Sequence, residues 1–413
     1  MLATREQICW LLVAWALLLL TCQSVQLASP NSTNKDKGKG LKLIAEYKNN
    51  QLEGLSSDGR LILLHQTSTP MRTYTFRSDI GRGQADQPDT HDDLLRVIEL
   101  ENGRELGHLG TEAFPGVEGF IPNTQEVFYS ERKQYAQKMG QAYKIWNPAS
   151  GQLHVCLDNP AGGFSWPVFL DQQQAIGIVS QKGSSEILAK LSLPECVLTN
   201  LGSVEPENSK NGAWQKLTLS PDKRFLAYTI YPGGKLIIWD IANKKVAKQL
   251  TPSPLLFDSN LDYRAFGNNI DYSTDGKLLI VNANIVNGNA HIRKEYLLSF
   301  ETETYQLKKR IEVQALATAM AISPDGRMVA IGYTKEMQKT FTTNEQGIIA
   351  LYDLTTGQEI TTAAHSEVKQ RRSDPFIARV RRLAFTPDGM YLLSSTYDTR
   401  LWQIGVARIE QAK

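Results

Sequence analysis

Four stretches of the chain share one frame, and an internal period constrains a fold more tightly than any single motif. LTLSPDKRFLAYTI begins at Leu217, IDYSTDGKLLIVNA at Ile270, MAISPDGRMVAIGY at Met320 and LAFTPDGMYLLSST at Leu383. Each reads as strand, turn, strand. Apolar residues alternate or run continuously on both sides of Asp222-Lys223, Asp275-Gly276, Asp325-Gly326 and Asp388-Gly389. Glycine accepts the positive φ that a tight hairpin needs, and aspartate bonds its own backbone there. A fifth copy, LEGLSSDGRLILLHQ, starts at Leu52, and two weaker ones, VEGFIPNTQEVFYS and WPVFLDQQQAIGIVS, start at Val117 and Trp166. The turns fall near residues 58, 123, 171, 222, 275, 325 and 388, about 50 apart, with two gaps lengthened to about 65.

Each copy supplies a third strand and usually a fourth across a second turn, as in LLRVIELENGRELGHL from Leu94, YKIWNPASGQLHVCL from Tyr143, KLIIWDIANKKVAKQL from Lys235 and IIALYDLTTGQEITTA from Ile348. Seven similar four-stranded antiparallel units at this spacing fit a radial array better than a sandwich or a solenoid. The chain is therefore expected to be all-β, a seven-bladed β-propeller over residues 41–413. The last unit ends after its third strand, LWQIGVARI, while KLIAEYK precedes the first. An open sheet edge is a liability, so residues 42–48 are expected to pair beside 401–409 and close the last blade.

Trp239-Asp240 and the last unit carry a resemblance to a known family. HSEVKQRRSDPFIARVRRLAFTPDGMYLLSSTYDTRLWQI, from His365, resembles the WD40 repeat, with His-Ser at the blade entrance, Pro-Asp-Gly in the first turn and Trp in the third strand. The resemblance implies a buried hydrogen-bonded tetrad, carried over to His365, Ser395, Asp398 and Trp402, with a structural and not a catalytic role. An inserted 371–378 and a shortened step from Asp398 to Trp402 depart from the pattern. Elsewhere it is degenerate: Tyr352-Asp353 replaces Trp-Asp, and Asn147 follows Trp146.

Ahead of the array, Arg5 precedes ICWLLVAWALLLLTC, an uncharged run from Ile8 to Cys22 that suits the core of a signal peptide and is short for a membrane span. Residues 1–24 are read as an export signal cut after Ser24, with an uncleaved anchor and lipidation of Cys22 as alternatives. Residues 25–40 read as a flexible polar linker, in which Asn31 would accept a glycan in a eukaryotic secretory pathway. The mature protein would be secreted, or periplasmic if bacterial. Cys156 and Cys196 fall near outer strands of neighbouring units, which diverge beyond bridging distance, so two free thiols are expected.

With 45 basic and 43 acidic residues, the chain has a net charge of +2, and no global field drives it onto nucleic acid. Nucleophile elbow, zincin, Cys-x-x-Cys and phosphate-loop motifs are absent from the sequence. Innermost strands such as LTLS, IDYS, MAIS and LAFT show no recurring acid or histidine. The expectation is a monomeric, non-catalytic protein-binding scaffold without cofactor or metal; a secreted hydrolase of the lactonase type is the alternative. Extra length clusters on one face, at 67–93, 131–141, 284–293, 335–345 and 366–378, and long loops in compact domains commonly carry function. Arg293, Lys294, Lys335, Lys339, Arg371 and Arg372 make this face's last sectors basic, suited to an acidic protein or peptide.

Overall fold

The first turn of the repeat closes through one hydrogen-bond arrangement used five times. A hydroxyl two residues before the turn aspartate donates to its carboxylate: Ser56 to Asp58 at 2.7 Å, Ser220 to Asp222 at 2.6 Å, Ser273 to Asp275 at 2.7 Å, Ser323 to Asp325 at 2.6 Å and Thr386 to Asp388 at 2.5 Å. The same hydroxyls accept the amides that begin the next strand, Leu61, Phe225, Leu278, Met328 and Tyr391, at 2.8–3.0 Å. Gly59, Gly276, Gly326 and Gly389 take φ between +69° and +74° at the corner, with Lys223 at +61°. The weaker copies turn by other means. Asn123 adopts φ +58° beside Thr124, whose hydroxyl accepts the Glu126 amide, and Asp171 accepts the Gln173 amide.

The computed structural model describes residues 26–27, 40–66, 93–111, 116–135, 138–159, 163–179, 186–193, 195–203, 213–231, 234–251, 263–287, 292–339, 342–368 and 379–405. They form seven antiparallel sheets in strict chain order. Blade 1 comprises Asn50–Leu55, Leu61–Gln66, Asp93–Glu99 and Glu105–Thr111. Blade 2 is Gly116–Phe120, Val127–Tyr135, Lys138–Trp146 and Leu153–Asn159; blade 3 is Phe164–Phe169, Gln174–Val179, Ile187–Ser192 and Val197–Ser203. Blade 4 is Ala213–Leu219, Phe225–Tyr231, Lys235–Asp240 and Lys245–Leu250; blade 5 is Tyr263–Tyr272, Leu278–Asn287, Ile292–Glu301 and Leu307–Val313. Blade 6 is Ala319–Ile322, Met328–Lys339, Thr342–Asp353 and Glu359–Val368. Blade 7 holds Arg382–Phe385, Tyr391–Ser395 and Thr399–Gly405, and the ring closes as expected: Gly40–Tyr47 pairs with Thr399–Gly405, Leu43 facing Trp402. Gln26–Leu27, within the segment read as a linker, adds a short fifth strand beside Ala45 and Glu46.

The second turns explain the degenerate Trp-Asp. Asp240 accepts the Asn243 amide, Asp353 those of Thr355 and Thr356, and Asn147 those of Ala149 and Ser150. Any side chain with an acceptor oxygen serves, so the pair tolerates drift. The preceding Trp146, Trp239 and Tyr352 are all buried. Hydrophobic clusters lie between blades, each shared by two neighbours; Ile176, Ile178, Leu217, Tyr228 and Trp239, for example, join blades 3 and 4.

Two expectations are corrected. In three of the supposed loops, 131–141, 284–293 and 335–345, the described residues are strand. The second and third strands run to 9 residues each in blade 2, 10 in blade 5 and 12 in blade 6, and in blade 6 stay paired from Met328↔Asp353 out to Lys339↔Thr342. Twelve residues extend about 40 Å against about 20 Å for a six-residue strand, so these hairpins stand out as ribbon arms. Of the other two insertions, 67–93 and 366–378, Asp93 and residues 366–368 are strand, and residues 67–92 and 369–378 lie outside the described residues, as do residues 1–25, Asn31 and 406–413.

Cys156 and Cys196 are joined in a disulfide, with Cα atoms 5.0 Å apart. The divergence of rim strands is overcome because neither cysteine sits on a regular ladder. Cys156 occupies a bulge in the outer strand of blade 2, and Cys196 lies in the turn before the outer strand of blade 3, at φ +55°. A bridge across a sequence separation of 40 constrains the unfolded chain substantially. Replacing both cysteines with serine is expected to cost about 2–4 kcal/mol, measured by denaturant unfolding under oxidising conditions. The same loss should follow reduction of the native protein.

Candidate functional site

The four residues assigned to a tetrad do not act as one chain of bonds. The Trp402 indole donates to Ser394 Oγ at 2.8 Å, not to Ser395, and His365 Nδ1 lies 3.2 Å from Thr396 Oγ1. Burial, reinforced by the Arg400 charge, pushes His365 down to about 3, so it is neutral at physiological pH. Ser395 and Asp398 face the other way, toward the start of blade 1. Ser395 Oγ accepts the Leu52 amide at 2.9 Å, Asp398 accepts the Asn49 amide at 2.8 Å, and Thr399 Oγ1 donates to the Asn50 carbonyl at 2.7 Å. Three side chains of the closing blade thus clasp the first one.

The basic sector is brought together in part. Lys294 and Lys335 are exposed on the arms of adjacent blades 5 and 6, and Lys294 Nζ is 3.3 Å from Glu312. Arg293 and Lys339 are on the same two arms, opposite Val286 and Thr342, but their side chains lie outside the described residues, as do Arg371 and Arg372 entirely. Arg381 and Arg382, where the chain enters blade 7, are already engaged. Arg381 lies 5.4 Å over the Tyr397 ring and donates to Gln51 at 3.3 Å, and Arg382 turns into the channel.

A different site appears where the innermost strands meet the face carrying the arms. The innermost strands of blades 1 to 5 each break register midway: between Leu52 and Gly54, Val117 and Gly119, Ser165 and Val168, Trp214 and Leu217, and Phe266 and Ile270. A bulge re-aims the residues it displaces. In the first three blades these include Glu53, Glu118 and Trp166. All three line a cavity of about 410 Å³, together with Gln141, Phe164 and Arg382.

Two carboxylates share the cavity under different conditions. Arg382 reaches Glu53 Oε2 at 2.9 Å and donates to its backbone carbonyl at 2.7 Å. His65 stands behind, 3.9 Å from Glu53 and 3.3 Å from the buried Asp93. Burial pushes the Glu53 carboxyl upward, against the pull of Arg382, His65 and Arg381. Glu118 receives no hydrogen bond or ion pair among the described residues. Burial carries it up to about 7; Arg382 opposes the shift and Glu53 adds to it.

On the third strand of blade 2, Tyr143 donates to Gln141 Oε1 at 2.6 Å and accepts the Phe164 amide at 2.5 Å, which leaves the Gln141 amide nitrogen as that side chain's donor end. Gly163 allows this approach, since a Cβ there would stand 2.7 Å from Gln141 Oε1. Across the channel, Asp271 accepts from Thr218 at 2.7 Å and pairs with Lys216 at 3.6 Å.

The well-matched strings LTLS, MAIS and LAFT carry no acid, so the pattern they set does not reveal the glutamates. The signal was Glu-Gly in the first and second copies, LEGL and VEGF. Gly119 follows Glu118 at φ +126°, a conformation that suits glycine.

No protein-family model matches the chain, and no curated protein matches it. Among solved structures, the β-propeller domain of Myceliophteria thermophila Cps50 (Swd1) is similar at a TM-score of 0.52 and 11% identity, over 91% of this chain and 98% of that one. Kuenenia stuttgartiensis hydrazine synthase is similar at 0.55 and 12%, over 92% and 99%. At such identities the likeness is one of fold, and one fold serves many activities.

Two measurements probe this geometry. Trp402→Ala should lower unfolding free energy by about 3–5 kcal/mol, because the indole is both core and hydrogen-bonded. For Glu118, the folded-state value near 7 lies above its ordinary value of 4.5, so the native state holds the extra proton between them. The Glu118 contribution to stability should therefore fall as pH rises from about 4.5 to about 7, against the rise that His365, held neutral in the fold, brings up to about 6.5, so Glu118→Gln should make the change of stability with pH more positive than in wild type in melting curves taken across the range.

Proposed function

We propose that this is an exported, non-catalytic interaction scaffold that docks a protein partner across the face bearing the arms of blades 2, 5 and 6. The observation that carries this reading is the length of those hairpins. Strands of 9 to 12 residues are longer than the six or seven of blades 1 and 3, and the added paired ribbon has no folding role that a shorter hairpin would not fill. Rigid ribbons lose less entropy on binding than loops do, which favours recognition. Lys294 and Lys335 give the arms of blades 5 and 6 positive charge and suit an acidic partner segment. Export is supported by the apolar run at Ile8–Cys22 and by the Cys156–Cys196 disulfide, a bond that persists in oxidising compartments. The hydrolase alternative has Glu118 in its favour, since a carboxyl near 7 exchanges protons at neutral pH.

The arm of blade 6 can be removed in register. Excising 335–346 and joining Thr334 to Gly347 through Asn-Gly leaves the buried Ile348, Ile349 and Ala350 in place. The melting temperature should stay within a few degrees of wild type. Recovery of a partner from the native extracellular or envelope fraction should fall by about tenfold or more, with a smaller fall for Lys335→Glu. Equal recovery by wild type and excised protein would remove the blade 6 arm from the binding surface.

A further inference from the structure

We infer that the channel mouth is a binding site for an organic cation, an alkylammonium or guanidinium group, held between the Glu118 carboxylate and the Trp166 indole, with Gln141 orienting it. The inference is independent of the docking role of the arms. It starts from the charges lining the cavity. Arg382 is engaged twice by Glu53, through its carboxylate and its carbonyl, so that pair is internally neutralised. Glu118 is then the charge without a counterpart among the described residues. Such a carboxylate under partial burial selects a positive ligand and disfavours an anion.

Trp166 supplies the second contact. It is a large aromatic, 46% exposed, lining the same cavity. Its φ of +50° is an outlier for a bulky side chain, and Pro167 follows it. Packing does not account for holding an indole in the left-handed region while leaving it half in water. An indole lining a cavity beside a carboxylate accounts for both, because a cation is attracted to each. The bulges in the first three innermost strands bring Glu53, Glu118 and Trp166 together from three blades, an arrangement that repeat symmetry alone does not produce.

The size and the donors narrow the class. A cavity of about 410 Å³ lies within the range of small-molecule sites, roughly 300–1,000 Å³. Hard divalent metals need more oxygen ligands than one free carboxylate supplies. The fit is therefore an organic cation with some apolar surface to lay on Trp166. Two sources share that chemistry: a free amine, or a lysine or arginine side chain offered by a docked segment.

The groups facing Glu118 are Glu53 from blade 1, Arg382 from blade 7 and Tyr143 from the third strand of blade 2. Glu118 sits nearest neutrality, so occupancy should follow its ionisation. Affinity is expected to weaken about tenfold between pH 8 and pH 6, as the carboxylate is converted to its neutral form.

Isothermal titration of the full mature chain with n-butylammonium, and separately with a blocked peptide carrying one lysine among glycines, tests the site. Saturable binding at pH 8 is expected, weakened about tenfold or more by Glu118→Gln and by Trp166→Ala, and unchanged by Lys245→Glu on the exposed outer strand of blade 4. Trp166→Phe should retain most of the affinity, which separates loss of an aromatic face from loss of fold, and circular dichroism checks each variant. Peptide binding at least about tenfold tighter than amine binding would assign the site to a partner's side chain, and equal or weaker peptide binding to a free amine. Absence of binding by both probes, or binding indifferent to both Glu118→Gln and Trp166→Ala, would overturn the inference.

Discussion

The pairing of Gly40–Tyr47 with Thr399–Gly405 is the interaction on which the other six blades depend. Each hydrophobic cluster is shared by two adjacent blades, so an unclosed ring would expose two faces to water, not one. The cluster between blades 7 and 1 contains Ala45, Tyr47, Leu52, Ile62, Leu64, Ile98, Leu393 and Leu401. Fully burying a side chain of the Leu or Ile class contributes about 1.5–3 kcal/mol, and those groups would be lost together on opening. Hydrogen bonds fasten the same seam in sequence-distant pairs: the Leu52 and Asn49 amides donate to Ser395 and Asp398, and Thr399 donates to the Asn50 carbonyl. Closure is cooperative because it requires the two ends of the array to be folded at once.

That seam explains why the last unit looks most like a WD40 repeat while using the matching residues differently. Hydroxyls and carboxylates near the end of the second strand must satisfy something buried. Here the Trp402 bond passes to Ser394, which releases Ser395 and Asp398 for the neighbouring blade. A motif match therefore located the polar cluster without assigning its bonds. Partner choice depended on which face of the strand each side chain takes, and a change of one residue moves it to the opposite face.

Period, turn chemistry and ring closure were legible because each is local or repeats. Ser-x-Asp-Gly is a self-contained hydrogen-bonded unit, and its five occurrences declare the array. What was not legible came from residues outside the ladder. Cys156 sits at a bulge and Cys196 in a turn, so reasoning from regular strands kept them apart. The arms of blades 5 and 6 are polar ribbons, and without an apolar alternation to declare strand they read as loops. Glu53, Glu118 and Trp166 were hidden for a related reason: a bulge adds a residue and cancels the period of two by which a strand shows which side chains point inward.

Register breaks in the innermost strands, found in blades 1 to 5, also bear on how a repeat fold acquires a directional site. The innermost strands of blades 6 and 7, Ala319–Ile322 and Arg382–Phe385, pair without a register break. Channel-facing groups are consequently concentrated on one arc, with Arg382 entering from the edge of the unbroken sector. A ring of identical strands would present the same side chain seven times and cancel any lateral field. The register breaks replace that symmetry with an acidic, aromatic arc at blades 1 to 3 and an internally paired Lys216–Asp271 contact beyond it. Stability rests on clusters between the blades, which the bulged residues do not enter. Those residues can therefore tolerate an unpaired carboxylate and an exposed indole that a core position could not.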